Sequence, residues 1–252
     1  QWESQLFRNL VFLIDPDLLI ARPQEAADEA FFEINTHEED LNPVLSNKFP
    51  SNLVSDGSVR KHDATFGWVL STHEGNRLVT CTGPVYGHLP SSYRAEGYGM
   101  LSMFRFALRL YEYYQVQPLW PSRFASDNKG LINYIQDALR ADFSSPSKTM
   151  DADWDLTQAI VTTIRRLPLP PEILHVKGHQ DDTVTYENLP LLAQMNCDAD
   201  KLATEALGSR TEQQLVPRIG GNGAQLTLNG ATINSKYVQL IRWADTAPPL
   251  LA

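Results

Sequence analysis

Cysteine is scarce in this chain: 252 residues contain two, Cys81 and Cys197. They form no C-x-x-C pattern and cannot build a disulfide framework, so both are read as buried thiols of a protein in a reducing intracellular setting, cytoplasm or nucleus. Long apolar runs are also missing. Leu10-Val11-Phe12-Leu13-Ile14 is among the longest, against the roughly 18 residues of a membrane span. No secretory pattern, internal repeat or low-complexity tract is visible, and no membrane partner is expected. Positive charge is in deficit, with 21 Lys and Arg against 30 Asp and Glu and a net charge of −9. That excludes a broadly basic, phosphate-coating surface. The deficit is uneven. Residues 1–50 hold ten acidic and three basic side chains, a net of −7, which leaves 18 basic against 20 acidic over residues 51–252. What is present is a globular composition, 42% hydrophobic and 10% aromatic, enough for one full domain with flanking pieces.

Within that domain four carboxylates stand in short motifs: Asp56-Gly57-Ser58, Arg94-Ala95-Glu96, Ser126-Asp127-Asn128, and Asp200 in Asn196-Cys197-Asp198-Ala199-Asp200-Lys201-Leu202-Ala203. Lys177-Gly178-His179 precedes the last. Asp-Gly-Ser alone marks many turns, and Arg-Ala-Glu occurs in many helices. The ordered set is far more specific. Converging carboxylates repel and raise one another's pKa values unless a cation sits among them. Oxygen-only ligands suit Mg²⁺. Two such ions, about 3.5–4 Å apart, can activate a water and stabilise both the attacking and leaving oxygens of a phosphodiester.

Hydrophobic periodicity places the motifs. Leu53-Val54-Ser55 into Asp56, Ala64–Ser71 and Arg77–Tyr86 read as an antiparallel meander. Ser92–Tyr113 reads as a helix with Glu96 in its first turn, and Phe124-Ala125-Ser126 as a strand leading into Asp127. Lys129–Leu139 and Asp153–Leu167 read as further helices, Ile173–Lys177 as a strand and Leu189–Leu207 as a last helix. The fold class is therefore α/β, a mixed five-stranded sheet flanked by helices, with Asp56 and Asp127 expected at strand ends. Residues 1–50 read as an acidic connector and 51–210 as the catalytic domain. Residues 211–252 read as a Gly-rich joint followed by a type I′ hairpin around Asn229-Gly230 and a helix capped by Ser235, a unit cut short. With Gln at its start, the chain reads as an internal fragment.

The motif set resembles the ribonuclease H family over roughly Asn52–Gly208. The resemblance implies a ribonuclease H-like fold and cleavage of the RNA strand of RNA/DNA hybrids. Asp56, Glu96, Asp127 and Asp200 would be metal and catalytic residues, Mg²⁺ the cofactor with Mn²⁺ as a substitute, and His179 the residue assisting proton transfer or product departure. The acidic flanks and long insertion are similar to a retroelement polyprotein segment following a reverse transcriptase. The pattern departs from the family in two places. Ser91-Ser92-Tyr93 stands where a polar amide pair usually touches the hybrid, and Gln180–Met195 replaces a shorter Gly-rich loop. Arg105, Arg109, Arg123, Lys129, Arg140 and Lys177 are the candidates for a backbone track.

Each residue has a plainer alternative. Asp56 could cap a turn, Glu96 could sit on the helix dipole, Asp127 could cap the following helix, and His179 could be a solvated loop residue. Arg94 is expected to brace the fold, and the remaining histidines to be surface or structural. Asp198 competes with Asp200, from which it points about 200° away around a helix. At the level of function the alternatives are a non-catalytic scaffold and a DNA-directed nuclease or transposase of the same fold.

Overall fold

The computed structural model describes residues 33–35, 50–61, 63–85, 90–115, 117–141, 151–209, 227–228 and 231–232. Strands β1 (Glu33–Asn35), β2 (Asn52–Arg60), β3 (Asp63–Ser71) and β4 (Arg77–Pro84) precede helix α1 (Ser92–Tyr114). Then come β5 (Arg123–Ser126), α2 (Lys129–Arg140), α3 (Trp154–Ile164), β6 (Glu172–His175), two 3-10 turns (Gln180–Asp182 and Tyr186–Asn188) and α4 (Leu191–Ser209). The sheet order is β1-β4-β3-β2-β5-β6. The pairings β2–β3, β3–β4 and β1–β4 are antiparallel, while β2–β5 and β5–β6 are parallel. The expected mixed five-stranded sheet is β2 to β6, and the short β1 extends it along the edge of β4. A two-residue pairing of β7 (Thr227–Leu228) with β8 (Ala231–Thr232) lies where the hairpin was expected. The helix expected after Ser235 lies outside the described residues. Among the described residues, no helix is long and apolar enough to cross a membrane.

Strand alternation assigns the two faces. Leu53, Phe66, Trp68 and Leu70 pack with Met100, Phe104 and Phe106 of α1, Leu131 and Ile135 of α2, and Leu156 and Ile160 of α3. Val54, Val69 and Ala125 pack with Ala193, Met195 and Ala199 of α4 on the opposite face. Each fully buried large apolar side chain contributes about 1.5–3 kcal/mol. α4 can lie low on the sheet because Gly67 has no side chain; a Cβ there would meet the Ala199 carbonyl at 2.5 Å.

Local signals set the helix ends. The Ser91 hydroxyl accepts from the Arg94 N–H and caps α1, which stops at Gln115 in the left-handed region (φ 53°). Asn128 caps α2 by accepting from the Leu131 N–H at 2.9 Å. Asp153, at φ 55°, precedes α3 without any side-chain capping bond. Its carboxylate is committed elsewhere: Arg94 Nη1 donates to it at 2.8 Å and also reaches Asp155 with Nη1 and Nη2 at 3.0 and 2.7 Å. Arg94 thus ties α1 to α3 and is fully buried.

Candidate metal centre

Asp56 is the fifth residue of the nine in β2, in mid-strand rather than at the expected strand end. Gly57 makes no turn. A Cβ on it would lie 2.5 Å from the Glu96 backbone N and 2.7 Å from the Ala95 carbonyl carbon, so the glycine admits the N-terminal part of α1 against the strand. Glu96 is brought within reach of Asp56 by that contact. The helix begins at Ser92, which puts Glu96 just beyond the first turn, and none of the first-turn residues is acidic. Asp127 follows the C-terminal end of β5. Its alternative role as a helix cap is filled by Asn128.

One carboxylate oxygen from each of Asp56, Glu96 and Asp127 lies within 4.8 Å of the others, a grouping able to hold a metal ion. Hydrogen bonds fix their orientation. Asp56 Oδ1 accepts from the Gly57 N–H at 2.6 Å and Oδ2 from Asn196 Nδ2 at 3.2 Å. The Ser126 hydroxyl donates to Glu96 Oε2 at 3.2 Å. His175 Nε2 lies 3.0 Å from the Asp127 carbonyl oxygen. Gly178 passes so close that a Cβ there would overlap Asp127 Oδ2.

Asp56 and Glu96 are each 8% exposed. Burial, then the Asp127 charge, pushes the Asp56 carboxyl up to about 7, with Asp200 adding to the rise and His179 opposing it. Burial, Asp127 and Asp56 push Glu96 up to about 8. The donor set is oxygen only and self-repelling, with two of its three members buried, which fits a hard divalent cation. In the metal-free protein these carboxyls bind protons more tightly folded than unfolded, where the values are 3.8 and 4.5. Protonation therefore favours the folded state. The stabilising contribution is complete below about pH 4 and is lost as pH rises through about 7 and 8. Thermal melts in chelator should show stability falling between pH 5 and 8, by up to about 1.4 kcal/mol per pH unit for each group, and saturating Mg²⁺ should flatten the slope. A flat metal-free profile would contradict the assigned burial of charge.

Asp200 does not join the close cluster of three, yet its charge acts on Asp56. Asp198 faces elsewhere: Arg77 Nε donates to its Oδ2 at 2.8 Å and the Tyr186 hydroxyl to its Oδ1 at 2.7 Å. His179, at φ 50°, stands at the start of the first 3-10 turn. Three of the six side chains of the expected basic track are ion-paired, Arg109, Arg123 and Arg140 with Glu112, Glu172 and Asp137, while Lys129 and Lys177 are exposed. Cys81 is buried, as expected, but Cys197 is only partly so; burial and the Asp181 charge push that thiol up to about 11. Sequence reasoning gave no site role to Ser126, His175 or Gly178, and took Asn196 only as part of a helix signature. Asn196 had a usable signal, standing four residues before Asp200 on one helix face.

No protein-family model and no curated protein matches the sequence. Solved structures similar to it are RNase H domains. LC11-RNase H1, isolated from compost and solved with an RNA/DNA hybrid, is 14% identical at a TM-score of 0.44, with 63% of this chain and 96% of that one covered. The PFV RNase H domain is 18% identical at 0.48, covering 65% and 97%. The prototype foamy virus protease-reverse transcriptase is 19% identical at 0.47, covering 66% of this chain and 22% of that one.

Proposed function

We propose that this chain is a divalent-metal-dependent endonuclease that hydrolyses the RNA strand of RNA/DNA hybrids, with Asp56, Glu96, Asp127 and Asp200 as its metal ligands. The observation that carries this reading is the convergence of Asp56, Glu96 and Asp127. Two of them are pushed to about 7 and 8 by burial and mutual charge, an arrangement costly to a protein that has no cation to place there. Two Mg²⁺ ions, or Mn²⁺ in their place, would supply charge stabilisation at the attacking and leaving oxygens. The chain's own residues hold the ligand oxygens in place: Asn196 and the Gly57 N–H orient Asp56, Ser126 orients Glu96, and the Gly178 backbone confines Asp127. His179, beside Asp56 electrically, moves a proton at the departing oxygen.

The acidic balance, with three arginines of the track ion-paired, lowers the positive surface open to phosphates. An adjoining reverse-transcriptase domain in a retroelement polyprotein would supply the missing affinity for nucleic acid, within the cell interior that two free thiols suit. Domain limits of 1–50, 51–210 and 211–252 belong to the same proposal. The test is cleavage of a labelled RNA/DNA hybrid, an RNA duplex and a DNA duplex across a Mg²⁺ titration. Selective, metal-dependent cutting of the hybrid RNA strand supports the reading. Cutting of DNA alone would point to a DNA-directed nuclease, and no cutting with no Mg²⁺-dependent thermal shift to an idle scaffold. His179→Ala is expected to slow turnover by about 10²–10⁴-fold, and an unchanged single-turnover rate would return it to a solvated loop residue.

A further inference from the structure

The segment that carries His179 is longer than a simple connection needs, and it is fastened at several points. Gly178 packs its backbone on the Asp127 carboxylate. Within the first 3-10 turn the Gln180 amide donates to the Lys177 carbonyl at 2.7 Å, and the N–H groups of Thr183 and Val184 return to the Gln180 carbonyl at 3.2 and 3.1 Å. The Asp181 charge acts on the Cys197 thiol of α4 and helps to push it up. Leu189, at the far end, is 6% exposed and packs with Val176 and Ala193.

Between these anchors stands a polar cluster that the metal centre does not use. The Tyr186 hydroxyl donates to Asp198 Oδ1 at 2.7 Å and accepts from Arg77 Nη2 at 3.0 Å. Arg77 Nε donates to Asp198 Oδ2 at 2.8 Å, and Arg77 Nη1 donates to the Gly75 carbonyl at 2.7 Å. Three separate pieces of chain meet here: the β3–β4 turn, the inserted segment and α4. Arg77 and Asp198 are 26% and 30% exposed, and Tyr186 is 38% exposed. Exposed ion pairs contribute little to stability, about 0–1 kcal/mol. A carboxylate whose two oxygens are shared between an arginine and a tyrosine hydroxyl has a second use, which is to fix geometry.

We infer that Tyr186, Asp198 and Arg77 form a clamp that holds the inserted segment on α4 and so positions His179 over the carboxylate cluster. They are positioning residues for the activity argued above, and the inference rests on that reading. Asp198 thereby gains a purpose separate from metal binding, on the helix face turned away from Asp200. The structural logic is that of a short lever. His179 sits in the left-handed region at φ 50°, uncommon for a residue with a side chain, so its ring direction depends on neighbours that keep the turn from relaxing.

Tyr186→Phe is the test, because it keeps the ring and removes only the hydroxyl. Turnover should fall by up to about 10²-fold, the scale of a misplacement of about 1 Å, with KM for the hybrid and Mg²⁺ affinity unchanged. In a His179→Ala background the same substitution should cause no further loss, because the group it positions is gone. Losses that multiply in the double variant, or a KM effect alone, would overturn the clamp as a device acting through His179. Amide hydrogen exchange read on the same proteins needs no activity. Residues 178–188 should lose protection in Tyr186→Phe while α4 keeps its own, and unchanged protection would overturn the clamp. A wild type that cuts no hybrid would sink the proposed activity instead, and the exchange result would then decide the clamp by itself.

Discussion

Asp56→Asn is expected to abolish Mg²⁺-dependent cleavage of an RNA/DNA hybrid while raising the melting temperature of the metal-free protein. The two effects have one cause. Asp56 is buried beside Glu96 and Asp127, and its carboxyl is pushed to about 7 by burial and by the Asp127 charge. At pH 8 the ionised group is held in place against repulsion. Asparagine keeps the volume and removes the charge, so Glu96 loses one of the neighbours that raise it. It also removes a proposed ligand of the oxygen-coordinated cation. The gain should be largest near pH 9, above both raised values, and should vanish near pH 4, where wild-type Asp56 is protonated and already neutral. Paired melts at the two pH values, with chelator and with Mg²⁺, separate this from a general packing effect. Retained cleavage by the variant would remove Asp56 from the ligand set.

Arg94→Met should be the most damaging single change away from the candidate metal centre. Arg94 is fully buried, and its partners Asp153 and Asp155 are 7% and 21% exposed. Methionine fills part of the space but leaves Asp153 as a buried carboxylate with its main donor removed. Breaking a buried pair from one side costs about 3–5 kcal/mol, which for a domain of this size lowers the melting temperature by roughly 10 °C. Adding Asp153→Asn and Asp155→Asn should recover much of the loss, because the uncompensated charge is then gone. If the triple variant melts no higher than Arg94→Met, the damage comes from packing with α3 and Tyr98, whose ring lies 5.3 Å from the guanidinium carbon. Glu96 is two residues further along the same helix, so the single variant should also weaken Mg²⁺ binding.

Much of the architecture was legible from local pattern. Alternation in Ala64–Ser71 and the apolar spacing of Met100, Phe104 and Leu108 mark a strand and a helix, and the structure has β3 and α1 there. Phe124-Ala125-Ser126 reads as a strand, and β5 is Arg123–Ser126. These signals survive because period and propensity are carried by neighbouring residues. Gly57 misled, since Asp-Gly-Ser has the composition of a turn while its glycine serves the approach of α1 to the middle of β2. The ion pairing along the basic track was not legible either. Arg123 is only half-exposed and pairs with Glu172, 49 residues away, across two parallel strands.

The order and spacing of the motifs, with the composition, determined by themselves which residue types were available for chemistry: four carboxylates, a histidine, and an acidic balance against a broadly basic surface. The tertiary structure alone decided which of these meet. Asp56, Glu96 and Asp127 come from β2, α1 and the end of β5, so their convergence depends on the sheet order β3-β2-β5 and on the helix contact admitted at Gly57. Asp198 and Asp200 are two residues apart and chemically identical. The Arg77 and Tyr186 partners that engage Asp198 arrive from 121 and 12 residues away, while Asp200 acts electrostatically on Asp56. Electrostatic work depends on distance and burial, and both arise only when the chain is folded, which is why two aspartates equal in sequence differ in their partners and in what each can do.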